Sequence, residues 1–303
     1  MRHSKCSGIH KVRLREGHAA FFALHSLQNK EQCARTCNNV NEENRPVLTE
    51  ERLDRIREQL TTSGKVLASE LAIQFEVSED TVRRDLRELA KLGFCRRVYG
   101  GALLPTPDLG TLATRTALHQ DRKSNLARTA AGLIEDGQTI FIDAGSTNLA
   151  IANALNPNQT LTIVTNAPVI ATALSDRPNY TIIVLGGMYD QGKGACLGPQ
   201  AMREAAQIFA DIFVIGACGV DSTVGITALD AGEAELKRTM VTQSSILLVA
   251  VTAEKIATVA PFKVADASMI DHLIVEHDNF DAGDFARADV QVHVASDSAP
   301  AAA

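Results

Sequence analysis

Basic residues concentrate in one short stretch of the chain, from Arg83 to Arg97. This stretch holds six Lys/Arg against two Asp/Glu, a local net charge of +4. Guanidinium and ammonium groups at this density bind phosphate oxygens, and an arginine can also donate two parallel hydrogen bonds to a guanine edge. On an isolated helix, the same charges are more simply explained as a solvated face. The stretch indicates nucleic-acid chemistry when the surrounding elements present these side chains together.

A second group of candidate residues follows short apolar runs in the last two thirds of the chain. Phe141-Ile142 is followed by Asp143-Ala144-Gly145-Ser146-Thr147, and small or polar residues also follow other runs: Thr165-Asn166, Gly186-Gly187, Gly216 to Asp221, and Lys255 just after Val251. Glycine lets the backbone approach an anion, while hydroxyls and helix N–H groups ligate phosphate. Each loop alone is an ordinary turn. Five of them at one sheet edge favour a phosphorylated ligand.

Apolar spacing predicts three helices around the basic stretch. The apolar positions are Leu53, Ile56 and Leu60 in the first helix, Leu67, Leu71 and Phe75 in the second, and Val82, Leu86 and Leu89 in the third. Ser78 is the predicted N-cap of the third helix, and Gly93 its end. A hairpin with its turn at Gly100-Gly101 follows. Helices with this order and spacing place the third helix in the major groove and basic groups on phosphates.

The segment over residues 116–294 alternates helical patterns with apolar, β-branched strands. Predicted strands are Gln138–Ile142, Leu161–Val164, Thr181–Leu185, Asp211–Ile215, Ser245–Val251 and His272–Val275. Predicted helices include Lys123–Ile134, Thr147–Leu155, Gln200–Ala210 and Gly232–Thr242. This alternation predicts an α/β domain with a mainly parallel sheet covered on both faces. Ligands of such sheets bind outside the carboxyl ends of the strands.

These patterns divide the chain of 303 residues into two domains and three connecting or terminal segments. We expect a disordered or non-native extension over 1–45, a DNA-binding domain over 46–104, a linker over 105–115, an effector domain over 116–294 and a flexible tail over 295–303. The linker is predicted from Pro105, Pro107 and Gly110.

Charge and cysteine content limit the function further. Residues 105–303 hold 12 Lys/Arg against 22 Asp/Glu, so a polyanion would be repelled there and nucleic-acid contacts must come from the first third. The six cysteines form no disulfide-like framework, which predicts a location in a reducing cytoplasm. The sequence contains no apolar run of about 18 residues, so we expect no membrane span. His3, Cys6, His10, Cys33 and Cys37 match no zinc spacing, so we expect neither metal nor cofactor.

One motif carries a family resemblance. Ser78-Glu79-Asp80-Thr81-Val82-Arg83-Arg84-Asp85-Leu86 resembles the recognition-helix motif of DeoR-type repressors, with Arg52, Ile56 and Leu60 in register upstream. Tyr99 stands where the family hairpin usually has histidine. The resemblance implies an α+β winged helix-turn-helix. The residues expected to contact double-stranded operator DNA are Ser78, Glu79, Thr81, Arg83, Arg84, Arg87, Arg96, Arg97 and Tyr99.

The later segment resembles the effector domain of the same family, which is similar in fold to ribose-5-phosphate isomerase. The resemblance implies an effector site, for a phosphorylated sugar, that contains Asp143, Gly145, Ser146, Thr147, Thr165, Asn166, Gly187, Asp221, Glu233, Lys237 and Lys255. One position departs from the family pattern, because Thr252 stands where an aspartate usually precedes the late lysine by three residues. The departure predicts an altered or silent pocket.

The resemblance implies a repressor of carbohydrate-metabolism genes that a phosphorylated sugar releases from its operator. Since one winged helix buries little surface, we expect a homo-oligomer, dimer or tetramer, on two half-sites. One alternative is an isomerase-like enzyme with Asp143, Asp221 or Glu233 as base, although a Glu233–Lys237 surface pair explains that glutamate more simply. The other is a DNA-binding regulator whose pocket no longer responds. Activation instead of repression also remains open.

Overall fold

The computed structural model describes residues 48–107, 110–276, 285 and 289–295. The extension predicted over residues 1–45, and with it the histidines and cysteines considered for zinc, lies outside these ranges. So does the predicted tail beyond Ala295. Within the described ranges, no helix has the length and apolar character needed to cross a lipid bilayer.

Three helices and three short strands form the first part of the described chain. The helices are α1 (Thr49–Ser63), α2 (Ala68–Gln74) and α3 (Glu79–Lys91), and the strands are β1 (Lys65–Leu67), β2 (Arg96–Val98) and β3 (Gly101–Pro105). Strand β3 pairs antiparallel with β1 on one side and with β2 on the other. The part is a helix-turn-helix followed by a two-stranded wing.

Apolar side chains from all three helices meet in a common core. The most deeply buried are Ile56, Leu60, Leu71, Val82, Leu86 and Leu89, each at most 2% exposed. The core also contains one ion pair, in which Arg52 of α1 donates to both oxygens of Asp85 of α3 at 2.5 and 3.1 Å. This pair joins the first helix to the third and leaves Asp85 buried, away from the basic face of α3.

Two details of this part differ from the prediction. Leu67 belongs to β1 and is 41% exposed, whereas Val66 and Ala68 supply the buried contacts. A three-residue strand between two helices escapes the helical periodicity that assigned Leu67 to α2. The wing turns at Tyr99-Gly100, and Gly101 begins β3. A Cβ atom on Gly101 would lie 2.0 Å from the Val66 carbonyl oxygen, so the pairing with β1 requires glycine here.

The chain then passes through α4 (Leu112–Ala117) and α5 (Gln120–Ala131) to a seven-stranded sheet. The strands are β4 (Thr139–Ile142), β5 (Leu161–Thr165), β6 (Tyr180–Val184), β9 (Ala210–Ile215), β12 (Ser244–Val251), β15 (His272–Glu276) and β16 (Gln291–Ala295). Their order is β16-β15-β12-β9-β4-β5-β6, with every neighbouring pair parallel. The α/β class with a mainly parallel sheet is confirmed.

Helices cover both faces of this sheet, so its central strands are buried on both sides. Besides α5, the helices are α6 (Ser146–Ala154), α7 (Pro168–Ala173), α8 (Pro199–Ala205) and α9 (Ala231–Thr242). The helix predicted over Gln200–Ala210 is too long, because Ala210 already belongs to β9. The linker predicted to lack regular structure contains the start of α4 at Leu112.

Several short strands outside the main sheet were not predicted. They are β7 (Met188–Asp190), β8 (Ala195–Leu197), β10 (Gly219–Asp221), β11 (Gly225–Ala228), β13 (Thr258–Val259) and β14 (Phe262–Ala265), and a 3₁₀ turn (Ala267–Met269) follows β14. β7 pairs with β8, and β11 lies between β10 and β14. β13 pairs in parallel with β3, so the α/β part extends the sheet of the wing.

Candidate functional site

Helix α3 presents an exposed basic face opposite its buried apolar face. The Ser78 hydroxyl caps the helix by accepting from the Thr81 N–H at 3.2 Å, as predicted. Arg84 and Arg87 are exposed, and no carboxylate of the described residues lies within 4.0 Å of either. Two unpaired guanidinium groups one turn apart on a capped helix suit a polyanion, because they lose no existing ion pair when they bind.

The other predicted DNA contacts on α3 already have hydrogen-bond or ion-pair partners within the helix or its cap. Arg83 is paired with Glu79 at 2.6 Å and with Asp80 at 3.6 Å, so both it and Glu79 are already engaged. The hydroxyls of Ser78 and Thr81 lie 3.0 Å apart within the cap. These four residues serve the local structure of α3, and their contacts with DNA stay predictions.

The wing carries three further exposed candidates. Arg96 and Arg97 lie on β2, and Tyr99 at the turn is fully exposed. An unburied aromatic ring at the tip of a hairpin, next to two arginines, fits a surface that closes on a partner. The basic surface of α3 and β2 therefore forms one candidate nucleic-acid interface.

A separate cavity lies where the order of the main sheet reverses. From β4, the chain adds β5 and β6 on one side of the sheet, and it then adds β9 and β12 on the other side. The crevice between the carboxyl ends of β4 and β9 is therefore the topological switch point. Open α/β sheets bind ligands at such crevices. Asp143 directly follows β4 and Gly216 directly follows β9, and both lie at this crevice.

The cavity consists of a larger chamber of about 350 Å³ and a small inner chamber. Predicted residues that line one or both are Asp143, Gly145, Ser146, Thr147, Glu233 and Lys255. The inner chamber lies at the N-terminus of α6, where the first N–H groups have no intrahelical partner. The hydroxyls of Ser146 and Thr147 also have no hydrogen-bond partner among the described residues. Donors without acceptors at a helix N-terminus favour an anion.

One wall of the cavity is acidic and held by a buried lysine. Lys237, 1% exposed, donates to the Asp143 carboxylate and lies 3.1 Å from Glu233. Burial alone would lower the pKa of Lys237, but the two carboxylates outweigh it and raise that pKa, so the lysine stays charged. The predicted i,i+4 pair of Glu233 and Lys237 does form, but the prediction that it lies on the surface is wrong, because the lysine is buried and the glutamate lines the cavity.

The opposite wall is basic. Lys255 belongs to a 3₁₀ turn (Ala253–Lys255) after β12, and its Nζ donates to the Ala217 carbonyl at 2.8 Å. No carboxylate of the described chain lies within 4.0 Å of this Nζ. Burial, reinforced by the nearby charges of Arg115 and Lys237, lowers the pKa of Lys255 to about 8. The lysine is therefore charged at neutral pH but gains from an added anion.

Besides Lys237, four predicted effector residues lie outside the cavity lining. The Thr165 hydroxyl donates to Ile142 O at 2.6 Å, and the Asn166 amide oxygen accepts from the Ala144 N–H at 3.1 Å. Gly187 packs against the backbone of Leu197, and the Asp221 carboxylate accepts from the N–H groups of Thr223 and Val224, both at 2.9 Å. These residues shape loops around the site, so their assignment as ligand contacts stays a prediction without support from the geometry.

Thr252 also lies outside the lining. It is 2% exposed, and its hydroxyl donates to Glu254 at 2.7 Å. Glu254 in turn pairs with Arg122 at 2.8 Å. The departure from the family pattern therefore falls on a hydrogen-bond network that does not line the cavity, and an altered or silent pocket stays a prediction.

Several lining residues were missed in the sequence. They are Thr106, Thr111, Arg115, Lys193 and Cys218. Lys193 is already paired with Asp190 at 2.7 Å, and burial raises the pKa of the Cys218 thiol. Arg115 lies in α4, at the end of the segment predicted to be the linker. An isolated arginine at such a place has no pattern that would have identified it.

The cavity and the wing are connected through β13. The chain runs from Lys255 to Thr258 within three residues, and Thr258 pairs with Leu104 of β3. The Thr106 hydroxyl, just beyond β3, donates to Cys218 O at 3.1 Å and lies 2.9 Å from the Thr258 hydroxyl. Short contacts therefore connect the lining residues Lys255 and Cys218 to the strand that bears the wing.

Sequence comparisons match both parts of this architecture. Residues 52–108 match the DeoR-like helix-turn-helix domain, and residues 118–277 match the DeoR C terminal sensor domain. The chain belongs to the DeoR family. The α3 motif and the α/β part with the switch-point cavity are thus the two parts of a DeoR-type transcriptional regulator.

Named relatives of this DeoR-family chain are transcription regulators. The glycerol-3-phosphate regulon repressor of Escherichia coli (strain K12) is 33% identical over 217 residues, which cover 71% of this chain and 86% of the relative. The HTH-type transcriptional repressor GlcR of Bacillus subtilis is 30% identical over 229 residues, covering 75% and 88%. The regulator GolR of Listeria innocua is 30% identical over 229 residues, covering 75% and 90%.

Solved structures show a more distant likeness. Ribose 5-phosphate isomerase A from Methanocaldococcus jannaschii has a TM-score of 0.34 at 17% identity, over 45% of this chain and 54% of the isomerase. The Pyrococcus horikoshii translation initiation factor eIF-2B has a TM-score of 0.37 at 16% identity, over 77% and 82%. The assignment to the DeoR family rests on the sequence matches and not on these scores.

Proposed function

We propose that this DeoR-family protein represses genes of carbohydrate or polyol-phosphate metabolism and leaves its operator when a phosphorylated metabolite binds the switch-point cavity. The observation that carries the proposal is the inner chamber. There the N-terminus of α6, the free hydroxyls of Ser146 and Thr147, and the unpaired Lys255 surround one small space. A phosphate monoester satisfies all of these donors at once.

The other wall supports a ligand with hydroxyl groups. The carboxylates of Asp143 and Glu233 accept from Lys237 but keep further lone pairs for ligand hydroxyls. We propose that the cavity binds its ligand without converting it. Asp143 is held by Lys237 and by the Gly216 N–H, Glu233 lies 3.1 Å from the same lysine, and Asp221 lies outside the lining, so each of the three candidate bases is already engaged or lies away from the cavity.

Two copies of the chain are proposed to bind each operator. A single helix such as α3 with one wing buries too little DNA surface for tight specific binding, so paired half-sites are needed. The −10 net charge of residues 105–303 would keep the sensor part away from the DNA backbone, leaving α3 and β2 as the contact surface.

The proposal is tested by titrating the purified protein onto DNA from upstream of its own and neighbouring genes, followed by fluorescence anisotropy. Each phosphomonoester of a panel is compared with its unphosphorylated counterpart. We expect specific binding over scrambled DNA and release by one phosphorylated compound only. Absence of specific binding contradicts the DNA part, and specific binding that no phosphomonoester changes contradicts the effector part and favours a non-responsive regulator.

Arg84 and Arg83 provide a matched comparison for the DNA surface. We expect Arg84→Ala to weaken specific operator binding by about 1–3 kcal/mol, because its free guanidinium is available to a base or phosphate. Arg83→Ala should cost less, since Arg83 must first leave Glu79 and Asp80. Anisotropy titrations of both variants measure this difference. Equal losses, or a loss for Arg84→Ala below a few tenths of a kcal/mol, would show that α3 does not read the operator in this way.

A further inference from the structure

Arg115 brings a second unpaired cation to the cavity. Its side chain lines both chambers, and its Nε is shielded from solvent without any hydrogen-bond acceptor in the described part of the chain. No carboxylate there forms an ion pair with its guanidinium. Burying a donor without an acceptor is unfavourable, so such a group in a native structure indicates a missing partner.

The backbone at Arg115 is positioned by contacts that do not involve its side chain. At the start of α4, the Leu112 N–H donates to Gly192 O at 2.8 Å. The Leu112 side chain packs against Gly194, where a Cβ atom would lie 2.2 Å from Leu112 Cδ2. At the end of α4, Lys123 Nζ donates to the carbonyls of Arg115 and of Leu118. The guanidinium is thus delivered to the cavity by the fold and remains free to take a ligand.

Arg115 and Lys255 form a pair of like charges around the inner chamber. Neither has a carboxylate within 4.0 Å in the described residues, and each adds repulsion to the other. Glu233 also lines this chamber, and it shares the charge of Lys237 with Asp143. Lys193, the remaining lysine of the larger chamber, is balanced by Asp190 and Asp230. Arg115 and Lys255 are therefore the two cations of the inner chamber without a carboxylate partner in the described residues, and together they suit a phosphate monoester dianion.

We infer that Arg115 is a second ligand of the effector's phosphate, and that the phosphate bridges Arg115 and Lys255 and so fixes the connector between the two parts of the chain. The inference rests on the proposed function and deepens it, because it names the ligand class as a dianionic phosphate monoester. The planar guanidinium can donate to two phosphate oxygens, which a lysine cannot do in the same geometry.

The position of Arg115 gives its binding a regulatory consequence. Helix α4 follows β3 by a few residues, and Thr106, between them, is already hydrogen-bonded to Cys218 and Thr258. A phosphate held by both Arg115 and Lys255 therefore joins the chain that follows β3 to the chain that precedes β13, and these two strands connect the wing to the sensor part.

The test compares Arg115→Gln, Arg115→Lys and a control, Arg203→Gln, in the full-length protein. Arg203 is an exposed arginine on α8, and it has no ion pair in the described residues. Binding of inorganic phosphate is measured by calorimetry at neutral pH, and operator affinity is measured without phosphate. We expect Arg115→Gln to weaken phosphate binding about 10- to 100-fold, Arg115→Lys to recover part of it, and operator affinity to change less than about twofold in all three.

A double-mutant cycle separates a shared ligand from a purely structural role. If Arg115 and Lys255 hold one phosphate, Arg115→Gln should lose less affinity in a Lys255→Gln background than in the wild type. Phosphate binding by Arg115→Gln at wild-type affinity, with Lys255→Gln impaired, overturns this inference and leaves the proposed function standing. A wild-type protein that binds neither inorganic phosphate nor any phosphomonoester overturns the effector part of the proposed function, and this inference with it.

Discussion

Replacing Arg52 with alanine should unfold the DNA-binding part of the chain under conditions in which the sensor part stays folded. The substitution leaves the Asp85 carboxylate buried and without its partner, for which the expected loss is about 3–5 kcal/mol. A unit of this size has about 3–9 kcal/mol of stability in total. Hydrogen exchange of the α3 amides and operator affinity should therefore both report the loss.

Two control variants separate the buried pair from general effects of charge. Arg55→Ala removes an exposed arginine of α1 that pairs with Glu51 at 2.6 Å, and it should cost about 1 kcal/mol or less. A double variant, Arg52→Met with Asp85→Leu, removes both buried charges and should recover most of the stability. If the free energy of exchange of the α3 amides in Arg52→Ala lies within about 1 kcal/mol of the wild-type value, the pair does not hold α1 to α3 in solution.

Lys255→Gln should abolish the response to the effector while leaving operator binding intact. Lys255 lies at the inner chamber and has no carboxylate partner in the described chain, so its charge is available to the ligand. Loss of a hydrogen bond between charged groups in a partly desolvated site weakens binding by about 10- to 100-fold. The effector concentration that releases half of the DNA measures this shift.

Lys263→Gln is the matched control, because Lys263 is an exposed lysine of β14 paired with Asp266. Its release curve should coincide with that of the wild type. An unchanged release curve for Lys255→Gln would remove this lysine from the site.

The affinity for the effector should depend on pH because Lys255 loses its charge at high pH. Lys255 is surrounded by Arg115, Lys237, Cys218 and Glu254, and burial is the main reason that its pKa lies at about 8. The lysine binds an anion when protonated, so affinity should be high below about pH 8 and fall about tenfold as pH rises to 9. The phosphate itself needs pH above about 6 to be dianionic. In Lys255→Gln, the fall above pH 8 should disappear.

The DNA-binding part was predicted well because its residues act through local rules. The cap at Ser78, the apolar spacing of Val82, Leu86 and Leu89, and the glycine stop are all written within a few neighbouring positions. Leu67 was misplaced because a three-residue strand has too few residues to show its own period. The burial of Asp85 was missed since its partner, Arg52, lies 33 residues away.

The sensor site was predicted only in part, for a related reason. Parallel strands bring their carboxyl ends to one edge, so Asp143, Ser146 and Lys255 could be grouped from strand order alone. Thr165, Asn166 and Asp221 also lie at strand ends, but their side chains form hydrogen bonds with backbone groups. Only the folded chain shows these bonds. Arg115 comes from a connector whose docking depends on contacts with a distant hairpin, which no local pattern encodes.

The most direct test of the account is whether DNA and effector influence each other reciprocally in this one chain. Calorimetry would measure the affinity for the active phosphomonoester with and without saturating operator DNA, and anisotropy would measure operator affinity with and without that compound. Both affinities should fall by the same factor, about 5- to 150-fold, because linkage requires it. An effector affinity that operator DNA leaves unchanged would contradict the account, since the cavity would then bind its ligand without any connection to the winged helix.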